Sequence, residues 1–94
     1  MSYSIITTPA AEKDIKKLRE TGNIAALKKL NALLDELREH PQTGTGKPEK
    51  LRHQLSGCWS RRISQENRLV YIINEEQRIV FVVRAHSHYV NNSS

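Results

Sequence analysis

The chain has 94 residues, 37% of them apolar, and carries 15 Lys or Arg against 10 Asp or Glu, for a net charge of +5. That length makes one domain (1–94) with a single modest core, and the low apolar content fits a thin packing of helices on one face of a sheet. The basic balance makes a polyanion the expected charged partner, with nucleic acid ahead of membrane. No apolar run reaches the roughly 20 residues of a spanning helix. Met1–Ala11 lacks the leading cations and long apolar stretch of a signal peptide. The single cysteine, Cys58, leaves no internal disulfide and suits a reducing compartment. A cytoplasmic protein with no membrane partner is therefore expected.

Tyr3–Thr8 is short, β-branched and aromatic, and reads as a first strand. Thr8-Pro9 is a helix start: a hydroxyl to cap, then a proline where no donor is needed. Ala11, Ile15 and Leu18 give the first helix a narrow apolar stripe, which Gly22 ends. Asn23 caps a second helix with a wider face from Ile24, Leu27, Leu30, Leu33, Leu34 and Leu37, stopped at His40-Pro41. These leucines span barely two heptads, which favours core packing over a zipper. A glycine-rich loop from Pro41 to Pro48 follows. Cys58–Ser64, Arg68–Ile73 and Arg78–Val83 then read as strands joined by short polar turns, an antiparallel meander. The layout is α+β: two N-terminal helices on a twisted, mainly antiparallel sheet of four to five strands, in the order β-α-α-β-β-β-β. Residues 90–94 read as a frayed tail.

Charge gathers in the second half. Through Thr43 there are seven Lys or Arg against six carboxylates, and from Gly44 onward eight against four. One carboxylate, Glu49, stands among Lys47, Arg52, Arg61, Arg62 and Arg68. Strand alternation puts Trp59, Arg61 and Ile63 on one face, with Ser60 and Arg62 on the other. Arg84, His86 and His88 point one way if the last strand is regular. Arginines from each strand are thus expected to line a common open face and grip phosphate with forked donors. The alternative is that they are solvated or pair with Glu66, Glu75 and Glu76. Cleaving RNA by internal transfer needs a base, an acid and cations for the intermediate. Glu49 suits the first role and a late histidine the second. No metal is required, and His86-Ser-His88 lacks the neighbouring ligands of a metal site. Cys58, beside Trp59, reads as a small packed residue rather than a nucleophile.

Gly46-Lys-Pro-Glu49, Leu55-Ser-Gly57, Trp59-Ser-Arg-Arg-Ile63, Arg68-Leu-Val-Tyr71 and a late His88-Tyr89 resemble the YoeB (Txe) toxins of the RelE superfamily. The match is dense over about half the chain, and in the helices only the layout agrees. The resemblance implies a RelE-like fold and the toxin of a type II toxin–antitoxin pair. It implies a metal-independent, cofactor-free endoribonuclease that cuts mRNA on the ribosome, at the 30S A site, through a 2′,3′-cyclic phosphate. It makes Glu49 the general base, Arg68 the residue stabilising the transition state, His88 the general acid and Tyr89 the residue closing the site. Arg62 matches a phosphate-binding arginine, Arg52 stands where a lysine is frequent, and Lys47 lies in the Gly-Lys-Pro turn to contact RNA; Arg61 and Arg84 join the phosphate-binding set. Counting without a gap from Tyr71 places His86 at the acid position instead, so it stays the alternative to His88. Partners implied are a YefM-like antitoxin and a second copy of the chain. Superfamily members without the acid–base set act as non-catalytic inhibitors, and a plain RNA-binding module is the third reading.

Overall fold

The computed structural model describes residues 2–46, 48–52 and 56–86, with the backbone alone at His86. Strand β1 (Ser4–Thr7) leads into helices α1 (Pro9–Glu20) and α2 (Ile24–Leu37), and then come β2 (Glu49–Lys50), β3 (Trp59–Arg62), β4 (Arg68–Asn74) and β5 (Ile79–His86). One sheet holds all five strands in the order β1-β5-β4-β3-β2. β1 runs parallel to β5, and every other pair is antiparallel. The sheet is thus mixed: the two helices carry the chain from its β1 edge to its β2 edge.

Local chemistry sets the helix ends. Thr8 Oγ1 accepts from Ala11 N at 3.2 Å, with Pro9 opening α1. Asn23 Oδ1 accepts from Ala26 N at 3.0 Å at the start of α2. Each cap satisfies an otherwise orphaned helix donor and contributes about 1 kcal/mol. The inward stripe of Ala11 and Leu18 from α1, with Ala26, Leu30, Leu33 and Leu37 from α2, meets Leu69, Tyr71, Val80, Val82 and Ala85 of β4 and β5. Burying each leucine there is worth about 1.5–3 kcal/mol relative to exposure. Among the described residues no helix is long and apolar enough to cross a membrane.

The last strand is not regular. Val70 stands opposite Arg84, yet Tyr71 stands opposite Val82, so β5 carries one extra residue, Val83. Val82 and Ala85, three positions apart, are consequently both buried on the helix side. Alternation counted straight on from Val82 would have sent Arg84 into that core. β1 ends its pairing at Thr7 opposite Val82. Beyond that point Thr8 Oγ1 donates to Val83 O at 3.0 Å, and Asp14 Oδ2 accepts from Ala85 N at 3.0 Å. Two side chains of the α1 region therefore satisfy the edge that β1 leaves open.

Candidate functional site

The second edge of the sheet positions Glu49. Strand β2 is only two residues long, with Glu49 opposite Ser60 and Lys50 opposite Trp59. It is held beyond its ladder by the Lys50 ammonium, 5.7 Å from the centre of the Trp59 ring, and by Leu51, whose buried residue donates its N–H to Cys58 O at 2.9 Å. From there Arg68 Nη1 reaches Glu49 Oε1 at 3.2 Å and Ser60 Oγ at 3.3 Å. The Glu49 side chain is 57% exposed and that of Arg68 33%. A pair this accessible is worth at most about 1 kcal/mol, so an incoming anion can draw Arg68 away from it.

Two further positions adjoin this contact. Arg62 stands directly opposite Arg68 across β3 and β4, and the backbone of His86 stands opposite Arg68 on its other side. Like charges facing each other across a ladder repel. An anion between Arg62 and Arg68 turns that repulsion into two attractions. Arg62 is exposed, and among the described residues its guanidinium has no hydrogen-bond or ion-pair partner. Arg52 is exposed just past β2. Lys47, His88 and Tyr89 lie outside the described residues.

Arg61 departs from the sequence expectation. It was placed on the open, phosphate-gripping face, yet it is fully buried. Its Nε donates to Tyr71 Oη at 3.0 Å, and Nη1 donates to Glu36 Oε1 at 2.5 Å and to Thr45 O at 3.3 Å. Nη2 donates to the carbonyls of His40 and, at 2.7 Å, Thr43. Every donor of the guanidinium is engaged inside the protein, so Arg61 holds the 40–45 loop and has nothing left for a ligand. The physical reason was visible in its neighbours: Trp59 and Ile63, which share its face, are apolar and belong to the core side. Arg84 is also committed. Its Nε and Nη2 donate to the two oxygens of Asp14 at 2.8 and 3.2 Å, and that hydrogen-bonded carboxylate raises its pKa further.

The partners of these arginines are helix acids, not the turn residues Glu66, Glu75 and Glu76. Asp14 lies three residues after Ala11 and four before Leu18, an acid inside the buried stripe of α1. Glu36 lies between Asp35 and the buried Leu37 at the end of α2. An acid at an inward helix position is the signal that could have identified both. Burial works against the charge of Glu36. Hydrogen bonds from Thr45 N at 2.6 Å and Thr45 Oγ1 at 3.0 Å, with Arg61, nevertheless hold its carboxyl below the usual range. Burial pushes the Cys58 thiol up, away from the thiolate a nucleophile needs. Among the described residues no three His, Cys, Asp or Glu side chains gather as a metal site would require.

Two helices on one side of a five-stranded mixed sheet, with the basic, acid-bearing β2–β3–β4 edge beside them, define a toxin of the RelE-like fold. A family model described as the YoeB-like toxin of bacterial type II toxin–antitoxin systems matches residues 8–89, and the chain belongs to that family. It is 47% identical over 60 residues to Toxin YoeB of Escherichia coli strain K12, covering 64% of this chain and 71% of that one. In structure it is similar to a YoeB/ParE toxin from Agrobacterium tumefaciens, with a TM-score of 0.82 at 30% identity over 92% of this chain and 99% of that one. It is also similar to the toxin in a YoeB–YefM complex from Staphylococcus aureus, with a TM-score of 0.76 at 36% identity over 93% and 98%.

Proposed function

We propose that this type II toxin is an endoribonuclease that cuts mRNA bound in the 30S A site of the ribosome, using side chains alone. The observation that carries the reading is the Glu49–Arg68 contact, a proton acceptor and a phosphate-matched donor 3.2 Å apart, with Arg62 in register beside it. Glu49 takes the proton of the 2′-hydroxyl, and the 2′-oxygen forms a bond to the adjacent phosphorus. Arg68, released from Glu49, and Arg62 neutralise the non-bridging oxygens as charge builds on them. The bond from phosphorus to the 5′-oxygen breaks, leaving a 2′,3′-cyclic phosphate, and the leaving oxygen takes a proton from an imidazole. His86 is our choice for that acid because its backbone is directly across from Arg68. His88 is the competitor. Lys47 and Arg52 serve as further contacts to RNA in this reading, and Tyr89 closes the site.

A partner must silence such an enzyme. The Staphylococcus aureus relative is found with YefM, and a YefM-like antitoxin with an acidic segment would suit the basic β2–β3–β4 edge by charge complementarity. Expression of the chain in bacteria should arrest growth, with cuts at discrete sites in translated messages. Glu49→Gln and Arg68→Ala should each relieve the arrest, and His86→Ala should do so more fully than His88→Ala. Arrest that survives the first two substitutions in soluble, folded protein would remove the nuclease reading. The reverse order for the two histidines would transfer the acid role to His88.

A further inference from the structure

One charged hollow adjoins the site above and shares only Arg62 with it. It lies between α2 and the β3–β4 turn, has a volume of about 370 Å³, and is lined by Lys29, Gly46, Arg62, Ile63, Ser64 and Gln65. We propose that it is a subsite for the backbone phosphate of the nucleotide adjoining the one that is cut, with Lys29 and Arg62 as its cationic walls. The proposal deepens the nuclease reading and takes its substrate class from it.

Lys29 is the unexpected member. It sits between Lys28 and the buried Leu30, three residues after the buried Ala26, and is half-buried where Lys28 is exposed. Partial burial of an ammonium costs free energy unless something compensates it. Arg61, Arg68 and Arg84 each have a carboxylate partner. Among the described residues the side chains of Lys29 and Arg62 have none, and both border the same hollow. The carboxylate of the turn itself, Glu66, lines a different hollow towards α1, together with Asp14 and Lys17. Two unneutralised cations across one concavity of nucleotide size fit a phosphate better than they fit each other.

The placement also matches a continuous strand of RNA. Arg62 is two residues along β3 from Ser60, a step of about 6.6 Å from the Glu49–Ser60–Arg68 contact at the usual rise of a strand. That is on the scale of one nucleotide of backbone, and Arg62 stands at the junction of the two places. Gly46 keeps the floor low. Its carbonyl accepts from Arg62 N at 2.8 Å, and a Cβ there would come within 3.0 Å of Arg62 O. Ser64 Oγ is occupied by the turn, accepting from Glu66 N, Asn67 N and Asn67 Nδ2. Gln65 is exposed at the rim, where its amide can meet a base edge.

The test uses the whole chain and an RNA hexamer with a 2′-deoxy residue at the cut position, so that binding is read without cleavage. Affinity is followed by fluorescence anisotropy from 50 to 200 mM salt for the wild type, Lys29→Ala, Lys29→Gln and, as an equal-charge control, Lys28→Ala. Each variant's fold is checked by circular dichroism. Lys29→Ala and Lys29→Gln should both weaken binding several-fold and lower the log–log salt slope by about 0.7, the signature of one single-strand phosphate contact. Lys28→Ala should leave the slope in place. Hexamers carrying an uncharged methylphosphonate at the linkage on the 5′ or the 3′ side of the cut should then separate: with one of them the Lys29 effect disappears. An unchanged slope, an equal effect of Lys28→Ala, persistence of the Lys29 effect with both neutral linkages, or no salt-dependent binding of the unmodified hexamer would each overturn the subsite. Cleavage of the all-ribose hexamer or of ribosome-bound message by Glu49→Gln would instead refute the chemistry and leave these binding results standing.

Discussion

Replacing Tyr71 with phenylalanine removes one oxygen atom from the middle of the Arg61 network. That oxygen accepts from Arg61 Nε at 3.0 Å and donates to Pro41 O at 2.8 Å, in a residue with no exposed surface. Burial raises the Tyr71 pKa, so the hydroxyl keeps its proton and donates throughout the ordinary pH range. In Tyr71→Phe both partners lose their bond where water has little access, and each buried group left unmade costs about 1–3 kcal/mol. Arg61 keeps its other donors engaged, which puts the total near the lower end, about 2–3 kcal/mol. For a domain of this size that corresponds to a fall in Tm of about 10 °C. Urea unfolding should show a lower midpoint with an unchanged m-value, because the native surface is the same. Arg61→Lys should cost more still: an ammonium with three donors cannot serve a tyrosine, a carboxylate and three carbonyls at once. A Tyr71→Phe loss below about 0.5 kcal/mol would refute the claim that this network carries the loop ahead of Glu49.

Two further outcomes follow from the same region. Glu36 has a folded pKa below its unfolded value, so its contribution to stability is complete above the unfolded carboxylate pKa of about 4.3 and is lost as pH falls through the folded one. Glu36→Gln should therefore flatten the decline in Tm measured below about pH 4.3, while lowering Tm at neutral pH through the weakened Arg61 contact. Gly44 has φ of 116°, and a Cβ there would lie 2.1 Å from Glu36 Oε1. Gly44→Ala should destabilise the fold in urea by more than the 1–2 kcal/mol of left-handed strain alone; a smaller loss would mean that the loop can back away from Glu36.

Much of the fold was legible because its signals are local. Thr8-Pro9 and Asn23 cap where expected, Gly22 follows α1 with φ of 72°, and the leucine stripe of α2 is the core stripe. The parallel pairing of β1 with β5 was not legible, since it joins segments more than seventy residues apart and leaves no local pattern. The order β-α-α-β-β-β-β allows for a fourth late strand, but its place at Glu49–Lys50 was not legible, since two residues are too few for alternation to show. At the site, charge was read as exposure. That served for Glu49 and Arg62, whose side chains are open to solvent, and failed for Arg61, where the apolar residues two before and two after were the better guide to which face is covered. The extra residue at Val83 escaped for another reason: a bulge in a β-branched run has the same composition as an unbroken strand.

Pinning Val83 and Ala85 to Thr8 and Asp14 gives the end of the last strand a fixed origin. A residue gained or lost between Val83 and Ala85 would therefore break the hold of Thr8 or that of Asp14. The tether belongs to the first helix, not to a neighbouring strand. The two segments are thus obliged to change together, and a chimera that takes one without the other would strip Val83 O and Ala85 N of their partners even with its core intact.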